Sequence, residues 1–142
     1  MLPAESKRGI LDTSTVILLE RIADASSLPD EPLITSVTLA ELSVGPLVAT
    51  TPQEQAIRQM RLQQVEADFR PLPFDAAAAR AFGQVAASLR RGGRSTTARA
   101  YDAMIAAIAI ARALPLFTCN PADFSRIDGL DLRAIDHPDR TS

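Results

Sequence analysis

Short apolar runs alternate with longer amphipathic segments along the chain, and this alternation is typical of an α/β domain. The runs with the length of strands are 9–11, 33–36, 115–118 and 132–135, and the helical segments are about 13–23, 37–45, 52–69, 76–91 and 100–111. Because helices separate the strands, parallel pairing is favoured. We therefore expect an α/β fold with three α/β/α layers and a short, mostly parallel central sheet, in which 132–135 is an edge strand.

Length and composition favour one domain spanning 1–142, with its core at about 8–135. The chain has 142 residues, of which 46% are hydrophobic, and this is enough to bury a core without disulfides. Its single cysteine, Cys119, excludes an intramolecular disulfide and is expected to fill space beside a strand. No leader or long apolar run is apparent, so we expect a cytoplasmic protein that does not contact a membrane.

Four carboxylates each stand alone in a stretch that otherwise packs. Asp12 follows the first strand, Glu41 lies in the helix after the second, Asp102 begins a buried helix, and Asp123 follows the third strand. Since the carboxyl ends of parallel strands form the ligand-binding edge of an open α/β sheet, all four could converge there.

Isolated buried carboxylates are destabilising unless something compensates their charge. Mg²⁺ or Mn²⁺ prefers oxygen ligands and binds substrate phosphates, so the pattern predicts metal-assisted phosphodiester hydrolysis. The only histidine, His137, lies in a polar C-terminal segment, which argues against a Ser-His-Asp triad or a two-histidine ribonuclease. The net charge of −2 gives no overall attraction to nucleic acid, so binding would depend on local basic groups or metal ions.

Ordinary structural roles remain open for most of these positions. Asp12 and Asp102 are also compatible with helix N-caps, and Asp123 with a turn. Glu41 has no routine role in the middle of a helix, where Val37 and Val44 would share its face. Two other residues, Thr51 and Asp75, are predicted to be purely structural caps of the helices that follow them. The segment 89–99 contains four arginines and no acid, and it is either a solvated loop or a phosphate contact.

Four motifs in order carry a resemblance to a known family. They are Ile10-Leu-Asp-Thr-Ser14, Thr38-Leu-Ala-Glu-Leu-Ser-Val-Gly45, Asp102-Ala-Met-Ile-Ala-Ala107 and Leu116-Phe-Thr-Cys-Asn-Pro-Ala-Asp-Phe124. Together they resemble PIN-domain proteins of the VapC toxin type over about 8–135. The resemblance implies a metal-dependent endoribonuclease, the toxin of a bacterial type II toxin–antitoxin module. Such toxins are usually homodimers or hetero-oligomers with a small VapB-type antitoxin that neutralises them.

The resemblance also implies roles for individual residues. Asp12, Glu41 and Asp102 match the acidic triad of the family, while Asn120 and Asp123 share its fourth acidic position. Asp12 and Asp102 would be the principal ligands of Mg²⁺ or Mn²⁺, assisted by the others.

Substrate and antitoxin contacts are expected around these acids. The residues expected to contact substrate are Thr13, Ser14, Thr118, Arg90, Arg91, Arg94 and Arg99. By similarity, a groove beside 37–48 and 52–69 would accept the antitoxin.

Two alternatives belong to other functional classes. One is a PIN-like binding module that has lost catalysis, a possibility raised by Asn120 at the fourth acidic position. The other is a phospho-receiver domain, which also gathers acids at a sheet edge. That class normally needs adjacent acids after the first strand and a lysine late in the chain, whereas Lys7 is the only lysine here.

Overall fold

A computed structural model describes residues 7–95 and 99–140, and within these ranges the chain forms a four-stranded, all-parallel sheet with helices on both faces. The strands are β1 (Arg8–Leu11), β2 (Glu31–Leu33), β3 (Leu116–Thr118) and β4 (Leu132–Ala134), in the order β2-β1-β3-β4. The α-helices are α1 (Thr13–Leu18), α2 (Ser36–Val44), α3 (Pro52–Asp68), α4 (Ala76–Arg91) and α5 (Ala100–Arg112). Short 3-10 helices cover Leu19–Arg21, Ala25–Ser27, Gly45–Val48 and Pro121–Phe124. The predicted three-layer α/β fold and the edge position of the last strand are confirmed.

Alternating side chains of the two central strands build the two sides of the core. Ile10 and Leu116 pack into a cluster with α4 and α5, whereas Leu11 and Phe117 pack into a second cluster with α1 and α3. Successive side chains of a strand point to opposite faces, so a helical layer is needed on each side of the sheet. Burying one such side chain contributes about 1.5–3 kcal/mol, and α5 is the most enclosed helix, with Ile105–Ala109 buried throughout.

The two helix caps predicted to be structural are confirmed. The Thr51 hydroxyl accepts a hydrogen bond from the backbone N–H of Glu54 at 3.1 Å, and Pro52 occupies the first position of α3. The Asp75 carboxylate accepts one from the N–H of Ala78 at 3.0 Å and caps α4. These bonds satisfy helix N–H groups that have no partner within the helix.

The predicted position of the second strand is wrong by about two residues. β2 ends at Leu33 and includes Pro32, because it is an edge strand where a residue without an N–H is tolerated. Ile34 and Thr35 leave the ladder with β1, and Thr35 forms an isolated bridge with Leu72 instead.

Two helical predictions also need correction. The α-helix predicted over 13–23 ends at Leu18, and the chain continues as a 3-10 helix to Arg21. Val44 was expected to share a buried face with Glu41, but it is 50% exposed near the end of α2. Val37 is buried as expected and so is Leu42, so α2 packs on the core through these side chains while Val44 stays at the surface.

The strand order places a crevice at the carboxyl edge of β1 and β3. The chain leaves β1 towards β2 on one side, while β3 lies on the other side, and such a reversal of strand order opens a ligand-binding crevice. No helix within 7–95 and 99–140 combines the length and apolarity needed to cross a membrane. The predicted domain limits, 1–142, include residues 1–6 and 141–142, which lie outside the described residues.

Candidate active site

Asp12 lies at the carboxyl end of β1, where its buried side chain is only 2% exposed. Its Oδ1 accepts hydrogen bonds from the N–H and the hydroxyl of Thr15, so Asp12 is also the N-cap of α1. Its Oδ2 accepts hydrogen bonds from the Ser14 hydroxyl at 2.9 Å and the Thr118 hydroxyl at 3.1 Å. A carboxylate has about four acceptor positions, so the chain itself occupies all of them.

Each hydroxyl that donates to this carboxylate also accepts a hydrogen bond from an N–H group, which orients it. Ser14 accepts from the side-chain amide of Asn120 at 3.0 Å, and Thr118 accepts from the backbone N–H of Asn120 at 2.9 Å. Thr15 accepts from the N–H of Cys119 at 3.0 Å. With their lone pairs engaged in this way, the three hydroxyls direct their protons at the carboxylate. Asn120 therefore acts on the site through the hydroxyls of Ser14 and Thr118.

Glu41 reaches the same edge from α2. The Thr13 hydroxyl donates to Glu41 Oε1 at 2.7 Å and lies 2.9 Å from the Thr38 hydroxyl. Because Thr13 has a single hydroxyl proton, Thr38 is the donor in the second bond. Glu41 is only partly buried, and its position is fixed from one side by this pair of threonines.

Asp102 and Asp123 form a third part of the site together with Arg99. Arg99 Nη1 lies 2.6 Å from Asp123 Oδ1 and 4.0 Å from Asp102 Oδ2. Asp102 lies inside the first turn of α5, so the interpretation as an N-cap is wrong; Arg99 occupies the N-cap position. The side chains of Asp102 and Asp123 are 31% and 39% exposed, so this part of the site is open to solvent.

The carboxylates interact electrostatically across the crevice. Burial, as the largest cause, and the charges of Asp123, Asp12 and Glu41 together raise the pKa of Asp102 to about 6, against the opposing effect of Arg99. Burial also raises the pKa of Asp12, and its hydrogen bonds with hydroxyls offset part of that effect. For Glu41, burial and the charge of Asp12 raise the pKa, while the bond from Thr13 lowers it. Asp102 therefore lies within electrostatic range of the other three acids at this edge of the sheet.

The donor set is chemically suited to a hard divalent cation, because it consists of carboxylate oxygens whose mutual repulsion a cation would relieve. Within 7–95 and 99–140, however, no three His, Cys, Asp or Glu side chains are arranged so that they could hold a metal ion as they stand. In the same arrangement, hydrogen bonds from the chain fill the acceptor positions of Asp12, and Arg99 pairs with Asp123. Binding a cation would require these side chains to exchange partners.

The predicted arginine contacts are divided between the site and the surface. Arg99 reaches the acids, and Arg94 donates to the carbonyl of Ala122 at 2.9 Å, beside Asp123. Arg91 instead pairs with Asp128 at 2.9 Å. Arg90 is exposed in the last turn of α4. Residues 96–98 of the predicted basic segment lie outside the described residues.

Three residues at the site were not predicted. Thr15 and Thr38 are fully buried and support Asp12 and Glu41 through the hydrogen bonds described above. Arg140 donates to Asn120 Oδ1 at 3.3 Å from the C-terminal segment. For Thr15, the position three residues after a capping aspartate was a usable signal. No sequence signal links Arg140 to a residue 20 positions away.

Comparisons with known proteins agree with this geometry. The family model for the PIN domain matches residues 10–130. Ribonuclease VapC5 of Mycobacterium tuberculosis is 43% identical over 123 residues, which cover 85% of this chain and 88% of that protein. The tRNA(fMet)-specific endonuclease VapC of Shigella flexneri is 37% identical over 98 residues, covering 68% and 70% of the two chains.

A solved structure shows the same fold. The crystal structure of VapBC-5 from Mycobacterium tuberculosis, a member of the VapBC family of toxin–antitoxin systems, matches with a TM-score of 0.77 and 40% identity. The match covers 90% of this chain and 97% of that one. The chain therefore belongs to the PIN-domain family and, within it, to the VapC ribonuclease toxins of toxin–antitoxin systems.

Proposed function

We propose that this VapC-type ribonuclease is an endoribonuclease that depends on Mg²⁺ or Mn²⁺ and cuts RNA phosphodiester bonds in the cytoplasm. The observation that carries the metal dependence is the electrostatic coupling of the acids at the sheet edge. The pKa of Asp102 is raised to about 6 by burial and by three other carboxylates, with only Arg99 opposing them. Such a cluster is stabilised by a cation and, without one, repels a phosphate.

In this proposal Asp12 and Asp102 hold the ion, with Glu41 and Asp123 assisting. A bound Mg²⁺ or Mn²⁺ supplies Lewis-acid chemistry, because it activates water and offsets the charge on the phosphate. The protein side chains mainly position the reactants. Thr13 holds Glu41 through a 2.7 Å hydrogen bond, and Asp12 would exchange one hydroxyl partner for the ion while its remaining hydrogen bonds keep the carboxylate oriented.

The arginines have a separate role in the proposal. Arg99 and Arg94 lie beside Asp123, where a guanidinium can hold the RNA backbone once Arg99 exchanges its carboxylate partner for a phosphate.

Cleavage of a total RNA pool by the purified, antitoxin-free protein tests the function. We expect defined fragments with Mg²⁺ or Mn²⁺ and none with EDTA. Contaminating ribonucleases that use the 2′-hydroxyl do not need metal, so the EDTA sample distinguishes them from this protein. Asp102→Asn should remove the activity. Asp131→Asn is the matched control. Asp131 pairs with Arg133 and lies at the N-terminal end of β4, whereas the acids lie at the carboxyl ends of the strands. Fragments that persist in EDTA, or in Asp102→Asn, would contradict the proposal.

A catalytically inactive binding module is the alternative, and one contact favours it. Arg99 already neutralises Asp123 from within the chain, at 2.6 Å. Saturable Mn²⁺ binding by the folded protein, without cleavage of any RNA in the pool, would support this alternative.

For the partner, we propose that a VapB-type antitoxin occupies a groove between α1 and α3. The VapBC complex with the same fold supports such a partner. The groove has a volume of about 290 Å³, and Ile17, Ile57 and Met60 expose apolar surface along it. This groove lies beside 52–69, one of the two segments for which an antitoxin contact was expected, and its other wall is α1. Met60→Asp should weaken binding of a co-expressed VapB-type antitoxin and leave RNA cleavage intact.

We also propose a homodimer, supported by apolar side chains exposed around the end of α2. Leu47 is 83% exposed, and Val44 and Val48 are 50% and 60% exposed beside it. Monomeric proteins rarely leave such side chains grouped on the surface. Sedimentation velocity should show a dimer for the wild type and a monomer for Leu47→Asp. A monomeric wild type would contradict this part of the proposal.

A further inference from the structure

A second cavity, of about 300 Å³, lies beside the C-terminal end of β4. We name it the C-terminal pocket and define it by Asp24, Ser27, Asp136, His137 and Arg140, which contribute its polar lining. Its volume is at the lower end of the range for small-molecule sites and is sufficient for a single nucleotide base. None of the roles assigned above uses this pocket.

The C-terminal side of the pocket is held in place by its own hydrogen bonds. The backbone N–H of Asp139 donates to His137 Nδ1 at 3.0 Å, and the N–H of Arg140 donates to the carbonyl of His137 at 3.1 Å. The carboxylate of Asp139 pairs with Arg21, which ties the turn to the 3-10 helix after α1. The pocket is therefore a preformed feature.

Arg140 links the pocket to the carboxylate site. Its Nη2 donates to Asn120 Oδ1 at 3.3 Å, and the Asn120 amide donates to Ser14, which in turn donates to Asp12. β3 and β4 are parallel neighbours, so the segments that follow them leave the same edge of the sheet. A chain of three hydrogen bonds thus joins the guanidinium at the rim of the pocket to the Asp12 carboxylate.

The charges of the pocket define what it can bind. Arg140 offers a cation at the rim, whereas the lining contains the carboxylates of Asp136 and of Asp24, whose Oδ1 already accepts hydrogen bonds from Ser26. Because His137 Nδ1 accepts a hydrogen bond, the ring proton of the neutral histidine lies on Nε2, which is then a donor. A matching ligand is anionic at one end and rich in N–H donors at the other. A guanine nucleotide has this pattern, since the N1–H and N2–H groups of guanine lie side by side.

We propose that the C-terminal pocket is a nucleotide subsite, in which Arg140 binds a phosphate next to the scissile one and the pocket receives the attached base, guanine in preference to uracil. The role in RNA binding rests on the proposed ribonuclease function. Continuity with Asp12 through Asn120 favours RNA over a peptide as the occupant.

The single histidine of the chain provides a direct test of binding that does not require cleavage. His137 is the only source of imidazole signals in the NMR spectrum and it lines the pocket. We would titrate the metal-free full chain with GMP, UMP and inorganic phosphate. GMP should shift the His137 signals saturably, UMP should bind more weakly, and phosphate should bind most weakly.

Two arginine variants isolate the role of the rim. Arg140→Gln should weaken GMP binding about tenfold, the effect of losing one hydrogen bond between charged groups. Arg80→Gln removes an equal charge from an exposed position on α4, and it should bind GMP as the wild type does. Equal GMP affinity in both variants would overturn the proposal.

Cleavage kinetics then connect the pocket to RNA. For Arg140→Gln, KM for RNA should rise about tenfold while kcat changes little, because a contact with a neighbouring phosphate that does not react contributes to binding. Arg80→Gln should match the wild type in both parameters. An unchanged KM in Arg140→Gln, despite weaker GMP binding, would show that the pocket is not a substrate subsite.

The remaining outcomes separate this proposal from the ribonuclease function. A GMP response in a wild type that cleaves no RNA would overturn the function and support only a nucleotide site. Cleavage without any nucleotide response would overturn the subsite and support the function. A response to acetyl-arginine amide, with none to GMP, would identify a basic peptide as the occupant and overturn the proposal.

Discussion

The carboxylates of Asp12 and Asp102 lie in the same crevice but are held in opposite ways. Asp12 is 2% exposed and accepts all its hydrogen bonds from neighbouring hydroxyls and a backbone N–H. Asp102 is 31% exposed, and Arg99 stands 4.0 Å away. The Asp12 carboxylate therefore stabilises the fold as well as forming part of the site. The Asp102 carboxylate is instead held in place despite repulsion by the neighbouring carboxylates. Removing each one should affect activity alike but stability differently.

The largest expected effect is that of Asp12→Ala. RNA cleavage should fall below detection, and the free energy of unfolding should fall by about 2–4 kcal/mol because buried hydroxyls of Thr15 and Thr118 lose their acceptor. Urea denaturation and the RNA assay measure the two effects, with Asp131→Ala as the control. A stable Asp12→Ala variant would show that this carboxylate does not support the fold.

Asp102→Asn tests whether removing the second carboxylate leaves stability intact. Cleavage should be lost to the same extent, but the metal-free protein should unfold at the same or a higher urea concentration at pH 7. The reason is that the substitution removes a charge that Asp123, Asp12 and Glu41 all repel. A destabilised variant would contradict the view that Asp102 is held against repulsion.

Thr13→Val tests a residue that is not itself a carboxylate but positions the carboxylate of Glu41. The substitution removes the 2.7 Å hydrogen bond to Glu41 and leaves every hydrogen bond of Asp12 in place. Losing such a supporting partner typically lowers metal affinity or activity by about 10–100-fold. We expect that loss in RNA cleavage and in Mn²⁺ titration, while Thr13→Ser retains most of the activity. Equal losses in both variants would assign the effect to packing.

The smallest expected effect is a slope of stability against pH. The pKa of Asp102 is about 6 in the folded protein and near its ordinary 3.8 when unfolded, so between these values the folded state binds more protons. The contribution of Asp102 to the free energy of unfolding of the metal-free protein should therefore fall as the pH rises from 4 to 6. Urea denaturation across this range should show the wild type losing stability relative to Asp102→Asn. This difference is the measure of Asp102, because Asp12 and Glu41 shift in the same direction while the lowered pKa values of Asp24, Glu54, Asp131 and Asp139 act in the opposite one.

Local sequence signals predicted the parts of the fold that depend on neighbouring residues. The caps at Thr51 and Asp75 were predicted because capping needs a side chain only three residues from the N–H it binds. The buried stretch of α5 was predicted from its continuous apolar sequence. The second strand was misplaced because pairing with Leu72, a distant residue, takes Thr35 out of the ladder.

By itself, the sequence determined which carboxylates are chemically unusual and at which edge of the sheet they belong. Each is a single charge in a packed stretch; Asp12 and Asp123 follow strands, and Glu41 and Asp102 lie in helices that were predicted to bring them to the same edge. Only the tertiary structure decided how each is held: Thr118 reaches Asp12 across 106 residues, and Arg99 reaches Asp123 across 24. Such contacts depend on the order and register of the strands: a shift of one residue in β3 would turn Thr118 to the other face of the sheet.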